Sequence, residues 1–367
     1  MKVAFFTTTM FSRSNGPANF AVGLYNLARR NKTDIEFFSE DSKNKLGVTQ
    51  VSTKTSSLFH FMGMIIKSVE YYKVAKKKEF DLNVWNFSIV GWYSIFKNKG
   101  NIKNVVFVND QLSLDCKFNL SYSYLRYKIF RFFESFTCKR ANSIITNSEV
   151  LKRKIIDNYN VNEHKVNVLY KGIDIPKINV VKKDWSIKKN EIIKISFVKT
   201  NYIEGGLEML CSALSKLNLL NFEIIIIGPL KIDKNFKDYN NIKINCLGRL
   251  DKGELYNKII NTDMYCVPCL NEAFGQANIE ALALQIPTLI LPTEIQANLH
   301  KNDYCWIPKE SNSLSLSDEI SEIISSTALI RKTKAMLGRE IVKEKYSIET
   351  TSTEFTKILQ NTYNEKL

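Results

Sequence analysis

The stretch Asn271 to Ala281, NEAFGQANIEA, holds the residues of this chain best suited to chemistry. It follows an apolar run, MYCVP, and precedes the apolar ALAL, so it reads as strand, turn and helix with Gly275 in the turn. The backbone N–H groups of Gly275 to Asn278 then stand at a helix N-terminus, where the first donors lack an intrahelical partner. Such an end favours an anion, the helix dipole adding about 0.3–1 kcal/mol, and up to about 2 when partly buried. Glu272 precedes the turn and Glu280 lies eight positions later inside the helix, so two carboxylates flank one phosphate cradle. Carboxylates repel phosphate and accept hydrogen bonds from hydroxyls. A diphosphate between two polyhydroxyl ends satisfies both glutamates at once, and a nucleotide sugar is such a molecule.

Glu272, Phe274, Gly275, Glu280 and Ala281 fit the pattern E-x-F-G-x-x-x-x-E-A, and on these residues the sequence resembles glycosyltransferase family 4, the retaining enzymes of the GT-B fold. Lesser signs follow in the same order: Asn15-Gly16 before a helix, NSE at Asn147 to Glu149, VLYKGID at Val168 to Asp174, IIIIG ending at Gly228, LGRL at Leu247 to Leu250, and Asp263. The resemblance covers most of the chain. It implies an α/β, GT-B fold of two Rossmann-like doubly wound domains facing each other across a cleft. It further implies that Glu280 binds the ribose hydroxyls and that Glu272 meets the donor sugar near the reacting centre. Backbone amides of Phe274, Gly275, Gln276 and Ala277 are then expected on the diphosphate, with Asn15 and Gly16 approaching it from the other domain. Gly16 carries no Cβ, which suits close backbone approach, although the family's first paired glycine is Asn15 here. No cofactor and no metal are implied, the nucleotide sugar being a substrate, and the chain has no Asp-x-Asp pair.

Two departures bear on catalysis. After the first strand of the second domain the family usually has an arginine and, five residues on, a lysine, both neutralising the leaving diphosphate. This chain reads FVKTNYIEGGLEML, which puts Thr200 and Gly205 at those positions, or Lys199 and Glu204 after a one-residue shift. Losing two charge-assisted hydrogen bonds costs roughly 3–6 kcal/mol, so either another cation takes their place or turnover is poor. Lys199 is the first candidate and Lys171 the second. The other departure is VVFVND, where Asn109 stands in place of the family's histidine. An asparagine can hold a hydroxyl but cannot shuttle a proton near neutral pH. Glu272, Asn109 and Lys199 are therefore the expected catalytic set, and Lys199, Thr200, Phe274 to Ala277 and Glu280 the donor-binding set with Asn15 and Gly16.

Those residues must be positioned by the surrounding elements, and short apolar runs alternating with helical patterns predict parallel sheets of βαβ units. Strands are expected at Lys2–Thr7, Asp34–Phe38, Asp81–Trp85, Val105–Val108, Ser143–Thr146 and Val166–Leu169, then at Ile192–Val198, Phe222–Ile227, Ile242–Cys246, Met264–Pro268 and Thr288–Leu291. Between the two groups, PKINVVKKDWSIKKNE has a proline, several lysines and no clear period. Four segments follow: an N-terminal acceptor-binding domain over 1–176, a linker over 177–191, a nucleotide-sugar domain over 192–345, and a helix over 346–367 returning to the first domain.

Charge divides unevenly along the chain. Residues 1–175 hold 27 Lys+Arg against 14 Asp+Glu, a balance of +13, whereas the remainder holds 25 against 23, only +2. A one-sided basic field calls for a polyanion, and the aromatic and cationic helical stretches Leu58–Lys78 and Ser121–Arg140 suggest an anionic inner-membrane surface. Nucleic acid is not expected, because no recognition module is present. Charge-free runs reach 15 residues and contain polar residues, too short for a bilayer span. The start MKVAFFTTTMFSR reads as a first strand rather than an export signal, and seven cysteines, an odd number, argue for reduced thiols, so a cytoplasmic protein is expected. The expected activity is retaining, metal-independent transfer of a hexose-type sugar to a saccharide or lipid-linked saccharide acceptor in bacterial surface polysaccharide synthesis. The alternative is a non-catalytic GT-B subunit that binds saccharide or stabilises an active partner, motivated by Thr200, Gly205 and Asn109.

Overall fold

A computed structural model describes residues 1–11, 16–41, 45–52, 60–98, 102–109, 122–176, 185–188, 191–233, 236, 239–272 and 274–365. Two compact units result, one from Met1–Asp174 with Ser347–Leu367, the other from Ile175–Tyr346.

The first unit is built on a parallel sheet of seven strands: β1 (Val3–Phe6), β2 (Ile35–Ser39), β3 (Val48–Gln50), β4 (Leu82–Trp85), β5 (Lys103–Val108), β6 (Ser143–Thr146) and β7 (Val166–Val168), in the order 3-2-1-4-5-6-7. Its crossover helices are α1 (Gly16–Asn31), α2 (His60–Ala75), α3 (Trp92–Asn98), α4 (Tyr122–Arg140) and α5 (Glu149–Tyr159). Strands such as VAFF and LNVW are buried at every position, as parallel strands covered on both faces must be. On one face Phe6 stacks on Trp85 and Phe38 at 4.3 and 4.8 Å. On the other, Phe355 of the C-terminal helix packs edge-on against Phe5 and Phe20, each at 6.2 Å.

In the second unit, β8 (Ile193–Val198), β9 (Phe222–Ile227), β10 (Ile242–Cys246), β11 (Met264–Cys266) and β12 (Thr288–Leu289) form a parallel sheet ordered 10-9-8-11-12. Its helices are α6 (Leu207–Ser215), α7 (Lys252–Ile259), α8 (Gln276–Ala283), α9 (Glu294–Leu299), α10 (Ser313–Ser325) and α11 (Ala328–Lys345). The last helix, α12 (Ile348–Asn364), belongs to the first unit, where Ile348 N donates to Ile173 O at 2.9 Å.

Differences from expectation have local causes. The strand at 264–268 ends at Cys266 because Pro268 has no N–H to give and Cys269 N turns back to Val267 O at 2.8 Å. Strand β3 was not expected: VTQ is a three-residue edge with one apolar side chain. Of the expected linker over 177–191, residues 177–184, 189 and 190 lie outside the described residues; within the rest, Trp185 O accepts a 2.6 Å bond from Arg331 Nε.

Candidate functional site

The second sheet reverses direction of growth between β8 and β11: β9 and β10 lie to one side of β8, and β12 lies beyond β11. At such a switch point the connections leave in opposite directions and open a crevice at the carboxyl ends of the two central strands. Lys199 and Thr200 come directly after β8, and Glu272 to Ala277 come after β11. The expected donor-binding residues of this unit are therefore gathered at one sheet edge by topology alone.

Side chains close the arrangement. Lys199 Nζ donates to Glu272 Oε2 at 2.6 Å and to Cys269 Sγ at 3.5 Å, while Glu272 Oε1 accepts the Gly275 N–H at 3.3 Å. The carboxylate thus bridges an ammonium and the first turn of α8. Lys199 and Glu272 keep 25% and 24% of their side-chain surface exposed, so their attraction is screened less than that of a surface pair. Burial by itself pulls the lysine pKa down, but the Glu272 charge and the bonds to Glu272 and Cys269 outweigh it and hold the ammonium above the usual lysine range.

Gly275 caps α8 in the left-handed region, φ +76°, with no side-chain cap. A Cβ there would stand 2.6 Å from Asn278 Nδ2, which explains why glycine occupies the turn. Phe274 is buried, its ring 5.8 Å from that of Tyr346, so only its backbone can serve a ligand. Gln276 and Ala277 open α8 itself. One turn further, buried Glu280 pairs with Lys252 at 3.2 Å. Both glutamates bias Tyr265 on β11 beneath them: burial first, then the Glu272 and Glu280 charges, push that phenol well above its ordinary value.

Gly205, which falls at the family's lysine position, is closely packed. A Cβ at 205 would lie 2.6 Å from Phe197 Cζ and 3.0 Å from Lys199 Cγ, so the stem of Lys199 runs through the space that a side chain at 205 needs. A side chain at 205 therefore requires Phe197 and the stem of Lys199 to shift. Lys252 was missed in the sequence. Its signal was the capping box Asp251-Lys252-Gly253-Glu254, in which Asp251 accepts the Glu254 N–H at 2.9 Å and fixes the start of α7.

Asn109 and Gly16 belong to the first unit, and Asn15 lies outside the described residues. Asn109 follows β5 and is engaged by its own unit: its Oδ1 accepts from buried Lys171 at 2.7 Å, its Nδ2 donates to Asn86 O, and its carbonyl accepts from Asn147 Nδ2 at 3.0 Å. Asn86 in turn donates to Thr7 Oγ1 and Pro17 O, both at 3.1 Å, tying the start of α1 beside Gly16 to the strand ends. Asn109 thus links Lys171 to the loop after β4. Among the described residues no group of three or more His, Cys, Asp or Glu is placed to hold a metal ion.

Behind α8, Asn278 Nδ2 donates to Gln296 Oε1 at 3.2 Å, and His300 lies at the end of α9 near the Tyr304 hydroxyl. Burial pushes the His300 imidazole down to about 4, so the folded chain holds it neutral. Its contribution to stability is complete above the unfolded value near 6.5 and falls as pH drops toward 4, by up to about 3 kcal/mol. Urea midpoints are expected to decline between pH 7 and pH 4.5, and His300→Leu to flatten that acid limb; parallel profiles would remove His300 as its source.

The family model described as "Glycosyl transferases group 1" matches residues 180–341, and that described as "Glycosyltransferase Family 4" matches residues 14–177. The chain is 23% identical over 354 residues to the capsular polysaccharide biosynthesis glycosyltransferase CapM of Staphylococcus aureus, with 89% of each chain covered. Among solved structures it is similar to sucrose-phosphate synthase of Thermosynechococcus elongatus, with a TM-score of 0.75, 14% identity and 98% of each chain covered. It is also similar to HepE of Anabaena in complex with UDP-glucose, with a TM-score of 0.69, 14% identity, and 98% of this chain and 100% of that one covered.

Proposed function

This chain belongs to glycosyltransferase family 4, and from that membership we propose that it moves a sugar from a nucleoside diphosphate to a saccharide or lipid-linked saccharide acceptor, with retention at the anomeric carbon. Its fold is of the GT-B class, with parallel-sheet α/β units. The observation that carries the proposal is the Lys199–Glu272–Gly275 bridge at the switch point, with Glu280 and Lys252 one helical turn further. The glutamate already sits on the backbone donor and the ammonium that a diphosphate requires. An incoming diphosphate takes over both, and Glu272 is released toward the donor sugar. Glu280 then receives the ribose hydroxyls, its charge balanced by Lys252.

In the reaction the acceptor oxygen bonds to the anomeric carbon on the face from which the diphosphate departs. The bond between that carbon and the phosphate oxygen breaks, and the acceptor proton passes to the departing phosphate. The work asked of the protein is electrostatic, from backbone N–H groups and Lys199 placed before the charge develops. The similarity to CapM supports a polysaccharide product, and the UDP-glucose held by HepE supports a nucleotide-sugar donor.

A panel of nucleoside diphosphates and nucleotide sugars tests this reading by thermal shift. The matching donor raises the melting temperature by mass action, by about 2.7 kcal/mol of added stability at a hundredfold excess over Kd. Turnover is expected to persist in the presence of a chelator and to give a product of unchanged anomeric configuration by NMR. A chain that binds no member of the panel at millimolar concentration is instead the non-catalytic subunit.

A further inference from the structure

Helix α4 turns a stripe toward solvent that the core does not explain. Leu125, Lys128, Phe132 and Lys139 recur at three-, four- and seven-residue spacing along one exposed side, Leu125 being 57% and Phe132 66% exposed. The one acid of the helix, Glu134, faces the other way: it is buried and accepts from Ser88 Oγ at 2.6 Å and Tyr159 OH at 2.7 Å. The outward side therefore carries cations without a compensating carboxylate from its own helix.

Beside the stripe is a groove of about 410 Å³ lined by Lys128, Arg131, Lys139 and Arg140, with Phe132 and Phe136 and, among the described residues, no acidic one. Two of the guanidinium groups are held in place, Arg131 by a 2.7 Å bond to Asn158 Oδ1 and Arg140 by stacking 4.0 Å above the Phe136 ring. The apolar surface continues onto α3, where Phe96, 51% exposed, meets Phe136 at 6.2 Å. Large apolar side chains and cations thus alternate on one face of the unit that contains almost all of residues 1–175, the part of the chain with the +13 balance.

We propose that this α4–α3 face docks on an anionic lipid bilayer, the groove receiving a headgroup phosphate while Leu125 and Phe132 enter the boundary of the acyl chains. The chemistry requires both properties together. Cations near an anionic surface supply the attraction and large apolar groups supply the insertion. A soluble polyanion uses the cations alone and leaves Leu125 and Phe132 without a role. The surface lies wholly in the first unit, so the proposal is independent of the donor site.

Sedimentation of the full chain with vesicles of phosphatidylglycerol and phosphatidylcholine in equal parts, against phosphatidylcholine alone, tests it. Strong preference for the anionic vesicles at low salt is expected. Changing Lys128, Arg131 and Lys139 together to Gln should cut that partitioning by on the order of a hundredfold. Phe132→Ser should retain low-salt binding and lose the fraction that survives high salt. Equal binding to both vesicles overturns the proposal, as does a triple variant that partitions like the parent. An oligonucleotide bound as tightly as the anionic vesicles, with Phe132→Ser inert, overturns it in favour of a polyanion site. The comparison of lipids and the Phe132→Ser variant decide the matter even where the triple variant fails to fold, and vesicle binding is read without any sugar donor.

Discussion

Lys199→Met lowers kcat/KM by about 10²–10³-fold, the cost typical of removing one preorganised donor from a site where charge develops. The variant loses more than a charge. It leaves the Glu272 carboxylate, three-quarters buried, without the ammonium now 2.6 Å away, and on the proposed reading it takes a cation from the departing diphosphate. A purely structural ion pair predicts a different pattern, and affinity for the diphosphate product separates the two. With Lys199 as the diphosphate's cation, Lys199→Met weakens nucleoside diphosphate binding, whereas Glu272→Gln holds or tightens it because the lysine is freed from its competitor. Turnover falls in both. Diphosphate affinity unchanged in Lys199→Met, measured by calorimetry, ends the assignment. Gly205→Lys in that background is expected to give no rescue, since Phe197 and the backbone oxygen of Asn201 crowd a Cβ at 205 even after the stem of residue 199 has changed.

How much of this was legible in the sequence follows from what each feature depends on. Strands buried on both faces announce themselves as apolar runs, so VAFF and SIIT are readable without a partner in view. The turn at Gly275 is equally local, because glycine at a positive φ before a helix depends on the backbone alone. The Lys199–Glu272 pair spans 73 positions and exists because β8 and β11 are neighbours, which only the family pattern could suggest. Lys252 depends on where α7 begins relative to α8, a matter of crossover geometry, and LGRL stopped two residues short of it. Asn109 shows both limits at once. Its position after β5 was readable, but its bond to buried Lys171, 62 residues away, was not.

Replacing Gly206 by Ala, a change of one methyl group, is expected to destabilise the second unit by roughly 2–6 kcal/mol. Gly206 caps α6 at φ +78°, and a Cβ there would lie 2.2 Å from Pro268 O, in the backbone turn that leads from β11 toward Glu272. Strain at a positive φ and a clash with fixed backbone add, because neither partner can rotate away. The start of α6 is in effect pressed against the strand end that carries the glutamate, so the same variant should also lose its thermal shift with the matching donor. Gly253→Ala supplies the control within the same unit. Gly253 sits in the first turn of α7, its added Cβ would meet only Asp251 Oδ1 at 3.4 Å, and no positive φ is required. Alanine there removes unfolded-chain freedom without a clash and should stabilise by about 0.5–1 kcal/mol. Opposite signs for the same substitution, read as urea midpoints, are the expected result; equal effects at 206 and 253 would mean that α6 does not bear on the Pro268 turn.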